Sequence, residues 1–116
     1  MMKQCRAICN GRAVAGRIDV ADSFFTRLRG LMYTKSLGDR YGLLLSPCGA
    51  VHTFGMRYAI DVVYLSASGE VLRVECAMQP RRAGRAVPGS RQVLELAAGE
   101  ARQIGIARGD ILKFER

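Results

Sequence analysis

A chain of 116 residues, 49% hydrophobic and 24% charged, has the size of one domain with one core and leaves no room for a second. Eighteen Lys and Arg against ten Asp and Glu give a formal charge of +8, which favours acidic partners, nucleic acid and anionic surfaces among them, without selecting one. There is no repeat or low-complexity tract, no signal-peptide-like run after Arg6 and nothing near the ~20 apolar residues that span a bilayer. A single cytoplasmic, monomeric domain over residues 1–116 is therefore expected.

Residues 3–9 and 12–20 are partly alternating apolar runs around Asn10-Gly11, a dipeptide suited to the positive φ angles of a tight turn, and they read as a hairpin. Asp22 and Ser23 are good N-caps, and Phe24, Phe25, Leu28, Leu31 and Met32 follow at helical spacing, which predicts a helix at about residues 22–33 flanked by Arg27 and Arg29. Tyr41 to Leu45 is an apolar run ended by Ser46-Pro47, as a buried strand would be. Residues 59–65 and 70–76 alternate on either side of Ser66-Ala67-Ser68-Gly69, the clearest hairpin in the chain.

Residues 77–92 hold Pro80, Gly84, Pro88, Gly89 and four arginines without an acid, and are expected to form a mobile, exposed basic loop. Residues 91–97 resume a strand. Glu100 to Ile104 suits a short helix stopped by Gly105, and Arg108-Gly109-Asp110 turns into a last strand at Ile111 to Phe114. Period-two runs occupy more of the chain than helical stripes, so the fold class is mainly β (α+β), with six or seven strands, one substantial helix and one short one.

Arg29-Gly30-Leu31-Met32, Pro47-Cys48, His52-Thr53-Phe54-Gly55-Met56, Ile60-Asp61-Val62-Val63, and Val93-Leu94-Glu95-Leu96 followed by Ala98-Gly99 occur in an order and spacing that covers almost the whole chain. Together they resemble the bacterial and archaeal family catalogued as domain of unknown function 192. The resemblance implies a small β-sandwich or barrel-like domain with short helices, and no established substrate, cofactor or catalytic residue.

Asp61 shares a strand face with Val63 and Leu65, so a buried carboxylate there must be met by Arg29, Arg57, His52 or backbone N–H groups. A structural role takes precedence. Asp61→Asn should then cost less than Asp61→Ala, because shape and some hydrogen bonds survive. His52, the only histidine, could act as a base or ligand, but a hydrogen-bonded structural histidine ranks first. Cys48, His52 and Asp61 have the residue types of a thiol nucleophile, base and orienting carboxylate, yet residue types alone do not make a triad. Catalysis is not favoured.

Cys5, Cys9, Cys48 and Cys76 permit three disulfide pairings, but Cys5 and Cys9 on one strand lie ~13 Å apart, beyond bridging reach, and reduced thiols are expected. Cys5, Cys9, Cys48 and His52 are poorly spaced for zinc, so neither metal nor cofactor is expected. Arg81, Arg82, Arg85 and Arg91, with Lys3, Arg6, Arg12 and Arg17, could form a phosphate-binding surface if the fold joins them. The chain lacks Trp, so stacking platforms are scarce and nucleic acid ranks second. The leading reading is an accessory or binding domain for a small ligand or protein partner. Its site would be the Pro47 to Arg57 loop with Arg29, His52, Thr53, Met56, Arg57 and Asp61.

Overall fold

A computed structural model describes residues 3–21, 41–47, 58–79 and 86–115. Asn10 and Gly11, at φ 53° and 76°, turn β1 (Lys3–Cys9) into β2 (Arg12–Ala21) as the dipeptide requires. β3 (Tyr41–Leu45) runs parallel to β2, pairing Arg17 with Tyr41 and Ala21 with Leu45. β4 (Ile60–Leu65) and β5 (Val71–Met78) form the second hairpin, and β6 (Gln92–Ala97) inserts antiparallel between β3 and β4. The short helix α1 (Glu100–Ile104) follows, and β7 (Leu112–Glu115) returns beside β1. The seven strands among the described residues make one sheet in the order β5-β4-β6-β3-β2-β1-β7. The fold is thus mainly β and barrel-like, a single curled sheet.

The curl brings the two edge strands together at one end. Glu70 bridges Ile111, the Val71 N–H donates to the Asp110 carbonyl, the Gly109 N–H to the Val71 carbonyl and the Leu112 N–H to the Gly69 carbonyl, each at 2.8 Å. Gly69 sits at φ 93°, and a Cβ there would run into the Leu112 carbonyl oxygen, so this close approach needs glycine. Beyond Val71 the edges part, and the sheet stops short of closure.

Curling divides the apolar side chains into two cores. The inner one draws on every strand and on α1, with Val14, Ile18, Leu44, Val63, Leu94, Leu96, Ala101, Ile106 and Leu112 all buried. The outer one holds Ala21, Leu43, Leu45, Ile60, Val62, Tyr64, Met78 and Val93. β4 is consequently buried at every position, with alternate residues committed to opposite cores. At ~25 cal/mol per Å² of apolar area, each large side chain moved from water into either core contributes about 1.5–3 kcal/mol.

The strand expected at 70–76 continues to Met78, two residues into the segment read as loop, because Met78 buries itself in the outer core opposite Ile60. Gln92 pairs with Leu65 and already belongs to β6, while Ala86, Pro88 and Gly89 are exposed. α1 falls where expected. The αL residue Gly105 ends it, its N–H reaching the Ala101 and Arg102 carbonyls. The helix expected at residues 22–33 lies outside the described residues.

Candidate functional site

Asp61 is fully buried, and its carboxylate faces three backbone donors. Oδ1 accepts the Ala77 N–H at 2.8 Å, and Oδ2 accepts the N–H groups of Gly99 at 3.0 Å and Ala101 at 2.9 Å. Gly99 is the N-cap of α1 and Ala101 lies in its first turn, where N–H groups have no partner within the helix. Ala77 adopts φ 51° at an irregularity in β5 that turns its N–H toward β4. One carboxylate therefore fastens β4, β5 and the entry of α1. Of the partners the sequence offered, it is backbone N–H groups that meet it, with no Arg or His side chain beside it among the described residues.

Glu95 is the contrasting case. Paired with Leu43 on one side and Val62 on the other, it points to the outer face, 3% exposed, and its Oε1 has no hydrogen-bond partner among the described residues. Burial pushes its carboxyl up to about 8, so at neutral pH the neutral acid predominates. In the same row across the sheet lies Asp19, paired with Leu43. Burial works against the Asp19 carboxylate, but Arg17 Nη2 at 3.1 Å, Arg17 Nε at 3.3 Å and the Tyr41 hydroxyl at 2.8 Å outweigh it and hold its pKa below the ordinary range. Tyr41 is pushed upward in turn, first by burial and then by its bond to Asp19. Sequence reading passed over Glu95 and Asp19, although Glu95, between Leu94 and Leu96 in an apolar run, was the available signal.

Along the seam where the sheet fails to close lies a groove of about 790 Å³, in the size range of ligand pockets. One wall is the edge strand β5 with Leu72, Arg73, Val74 and Cys76, the other the α1–β7 connection with Arg102, Ile106 and Arg108, and Ala86 to Pro88 complete it. Among the described residues no Asp or Glu lines the groove. Arg73 shares a 3.6 Å ion pair with Glu75, which lies outside the lining, and no carboxylate pairs with Arg102 or Arg108 among the described residues.

Many of the residues singled out in the sequence fall outside the described part of the chain. Arg29, Cys48, His52, Thr53, Met56 and Arg57 lie outside the described residues, as do Arg81, Arg82 and Arg85. Arg91 is exposed and its N–H donates to the Leu65 carbonyl at 2.8 Å. Arg17 belongs to β2, two places from β6 in the sheet, and is engaged with Asp19. Cys5 and Cys9 are buried on β1, and Cys76 is exposed. Among the described residues no three His, Cys, Asp or Glu side chains converge to hold a metal ion, and no helix is long and apolar enough to cross a membrane.

A single curled β-sheet, stitched at one end and carrying one short helix among the described residues, defines a small barrel-like β-domain. Residues 7–114 match the sequence model of DUF192, described as Uncharacterized ACR, and the chain belongs to that family. It is 30% identical over 109 residues to a UPF0127 protein of Thermococcus sibiricus, covering 90% of this chain and 70% of that one. To a UPF0127 protein of Thermococcus kodakarensis it is 26% identical over 113 residues, covering 90% and 68%. Two solved structures share the fold. A protein of unknown function from Novosphingobium aromaticivorans superposes with a TM-score of 0.81 at 19% identity, covering 97% of this chain and 84% of that one. A "putative transcription regulator" from Sinorhizobium meliloti superposes with a TM-score of 0.82 at 22% identity, covering 98% and 94%.

Proposed function

We propose that this domain is a non-catalytic binding module that takes a negatively charged ligand or partner in the seam groove. One observation carries the reading: Arg73, Arg102 and Arg108 line one concave site that contains no carboxylate among the described residues. Guanidinium groups offer fixed, permanently charged donor forks for carboxylate and phosphate oxygens. Leu72, Val74, Val87, Pro88 and Ile106 supply apolar walls between them, the usual composition of a site that orients a ligand by a few polar contacts. This keeps the binding role read from the sequence and moves it from the Pro47 to Arg57 loop to the groove, since buried Asp61 is engaged by backbone N–H groups.

Inorganic tripolyphosphate is a suitable first probe. Calorimetric titration at low salt should give saturable binding that weakens as salt is added and is lost in an Arg102→Gln, Arg108→Gln variant. Equal binding by that variant would refute the assignment.

A second reading is a basic nucleic-acid-binding module. It is favoured by the formal charge of +8 and by the description of the Sinorhizobium meliloti neighbour. A duplex oligonucleotide that binds with a steep salt dependence and is indifferent to Arg102 and Arg108 would support it.

A further inference from the structure

The groove has a property that a simple anion site does not need: one of its walls is the free edge of a sheet. β5 is the outermost strand, and the β7 side of the seam covers it only as far as Val71, whose N–H and carbonyl are both taken by the 109–110 turn. From Leu72 to Cys76 no strand lies beside that edge among the described residues. Backbone groups facing away from β4 there are a template for another extended chain. Register irregularities between Ile60 and Val62 and between Tyr64 and Leu65 bound the regular stretch to Arg73–Glu75. An added strand would therefore be short, about four or five residues or roughly 16 Å at ~3.3 Å per residue.

We infer that the groove binds an acidic peptide segment of a partner protein in extended conformation, added as an eighth strand along the free edge of β5. The inference rests on the proposed anion-binding role of the groove and names its occupant. Main-chain hydrogen bonds to β5 supply affinity, while alternate side chains meet the two faces of the new strand. On the groove side they meet Leu72, Val74, Val87 and Ile106 with Arg102 and Arg108 beyond, so alternation of apolar and acidic residues matches the walls. Charge complementarity selects the acidic chain. Arg102 and Arg108 are exposed and without carboxylate partners among the described residues, and a basic segment would be repelled.

The test uses the intact chain and an end-blocked heptapeptide in which glutamate alternates with valine. Two analogues carry N-methyl groups on alternate backbone amides, one in each register, which keeps charge and side chains while removing strand hydrogen bonding. The parent should bind, one N-methylated analogue should bind roughly tenfold or more weakly, and amide exchange at Leu72–Cys76 should slow on binding. Arg102→Gln with Arg108→Gln should weaken the parent peptide about as strongly and flatten its salt dependence. If both analogues bind as well as the parent, or if tripolyphosphate binds through the arginines and the peptide does not, strand addition is overturned while the anion site stands. If a duplex oligonucleotide alone binds the groove, the occupant is nucleic acid and the inference fails. If neither peptide nor tripolyphosphate binds, both it and the proposed function fall.

Discussion

Replacing buried Asp61 by alanine removes the acceptor of three backbone donors at 2.8, 3.0 and 2.9 Å. The Ala101 bond is buried and the other two are partly so. Leaving a buried N–H unsatisfied costs about 1–3 kcal/mol, so three give an upper figure near 9 kcal/mol, and solvent reaching the outer two brings the expectation to about 3–5 kcal/mol. A domain of this size is stable by only ~5–15 kcal/mol, so the variant should be marginally folded. Asp61→Asn is no gentle control here. The carboxylate is clamped from two sides by donors alone, so an amide must turn its own NH2 toward Ala77 or toward the helix entry. Asparagine keeps the shape and some of the bonds, so its cost, about 2–4 kcal/mol, stays below that of alanine, as expected from the sequence. Urea denaturation of both variants, with amide exchange followed at Ala77, Gly99 and Ala101, measures this directly. An unchanged midpoint for Asp61→Ala with those three amides still protected would refute the reasoning.

Glu95 makes stability depend on pH in the opposite sense from an ordinary paired carboxylate. Its folded pKa of about 8 lies above the unfolded value, so its own contribution to stability is greatest below pH ~4.5 and falls at up to about 1.4 kcal/mol per pH unit as the pH rises toward 8. Glu95→Gln should flatten that decline, and an unaltered slope in denaturation from pH 5 to 8 would contradict it. Asp19, held below its ordinary pKa, contributes stability that is lost as pH falls into the acid range, and Tyr41→Phe should weaken it by about 1 kcal/mol, read as a shift of the acid unfolding midpoint. Gly69→Ala should loosen the seam, lowering the thermal midpoint and speeding amide exchange at Val71 and Leu112, since a Cβ meets the Leu112 carbonyl. An iodoacetamide time course read by mass spectrometry should label exposed Cys76 well before Cys9, whose thiol is pushed up by burial and by Asp110.

Local chemistry was legible in the sequence where the local chain decides the conformation. Asn10-Gly11 specified a hairpin, Ser46-Pro47 bounded β3, alternation marked both strands of the 60–78 hairpin, and Gly105 ended α1 where its αL conformation is used. Long-range pairing was not legible. Nothing in residues 91–97 says that β6 inserts between β3 and β4, and that insertion is what buries β4 on both faces and puts Glu95 between Leu43 and Val62. The partners of Asp61 are backbone groups, which carry no sequence signature. The groove draws on residues 72–76, 86–88 and 102–108, brought together only by the failure of the sheet to close. Periodicity reports which face a side chain takes, and not which strand arrives beside it.

The central claim is that the seam groove is the binding surface, and one measurement addresses it directly. Backbone amide chemical shifts of the full chain, followed by NMR during titration with the glutamate–valine heptapeptide, report where an acidic ligand sits. The account predicts saturable shifts confined to Leu72–Cys76, Ala86–Val87 and Arg102–Arg108. Shifts centred on the basic β1–β2 hairpin instead, or spread evenly over the surface without saturating, would contradict it.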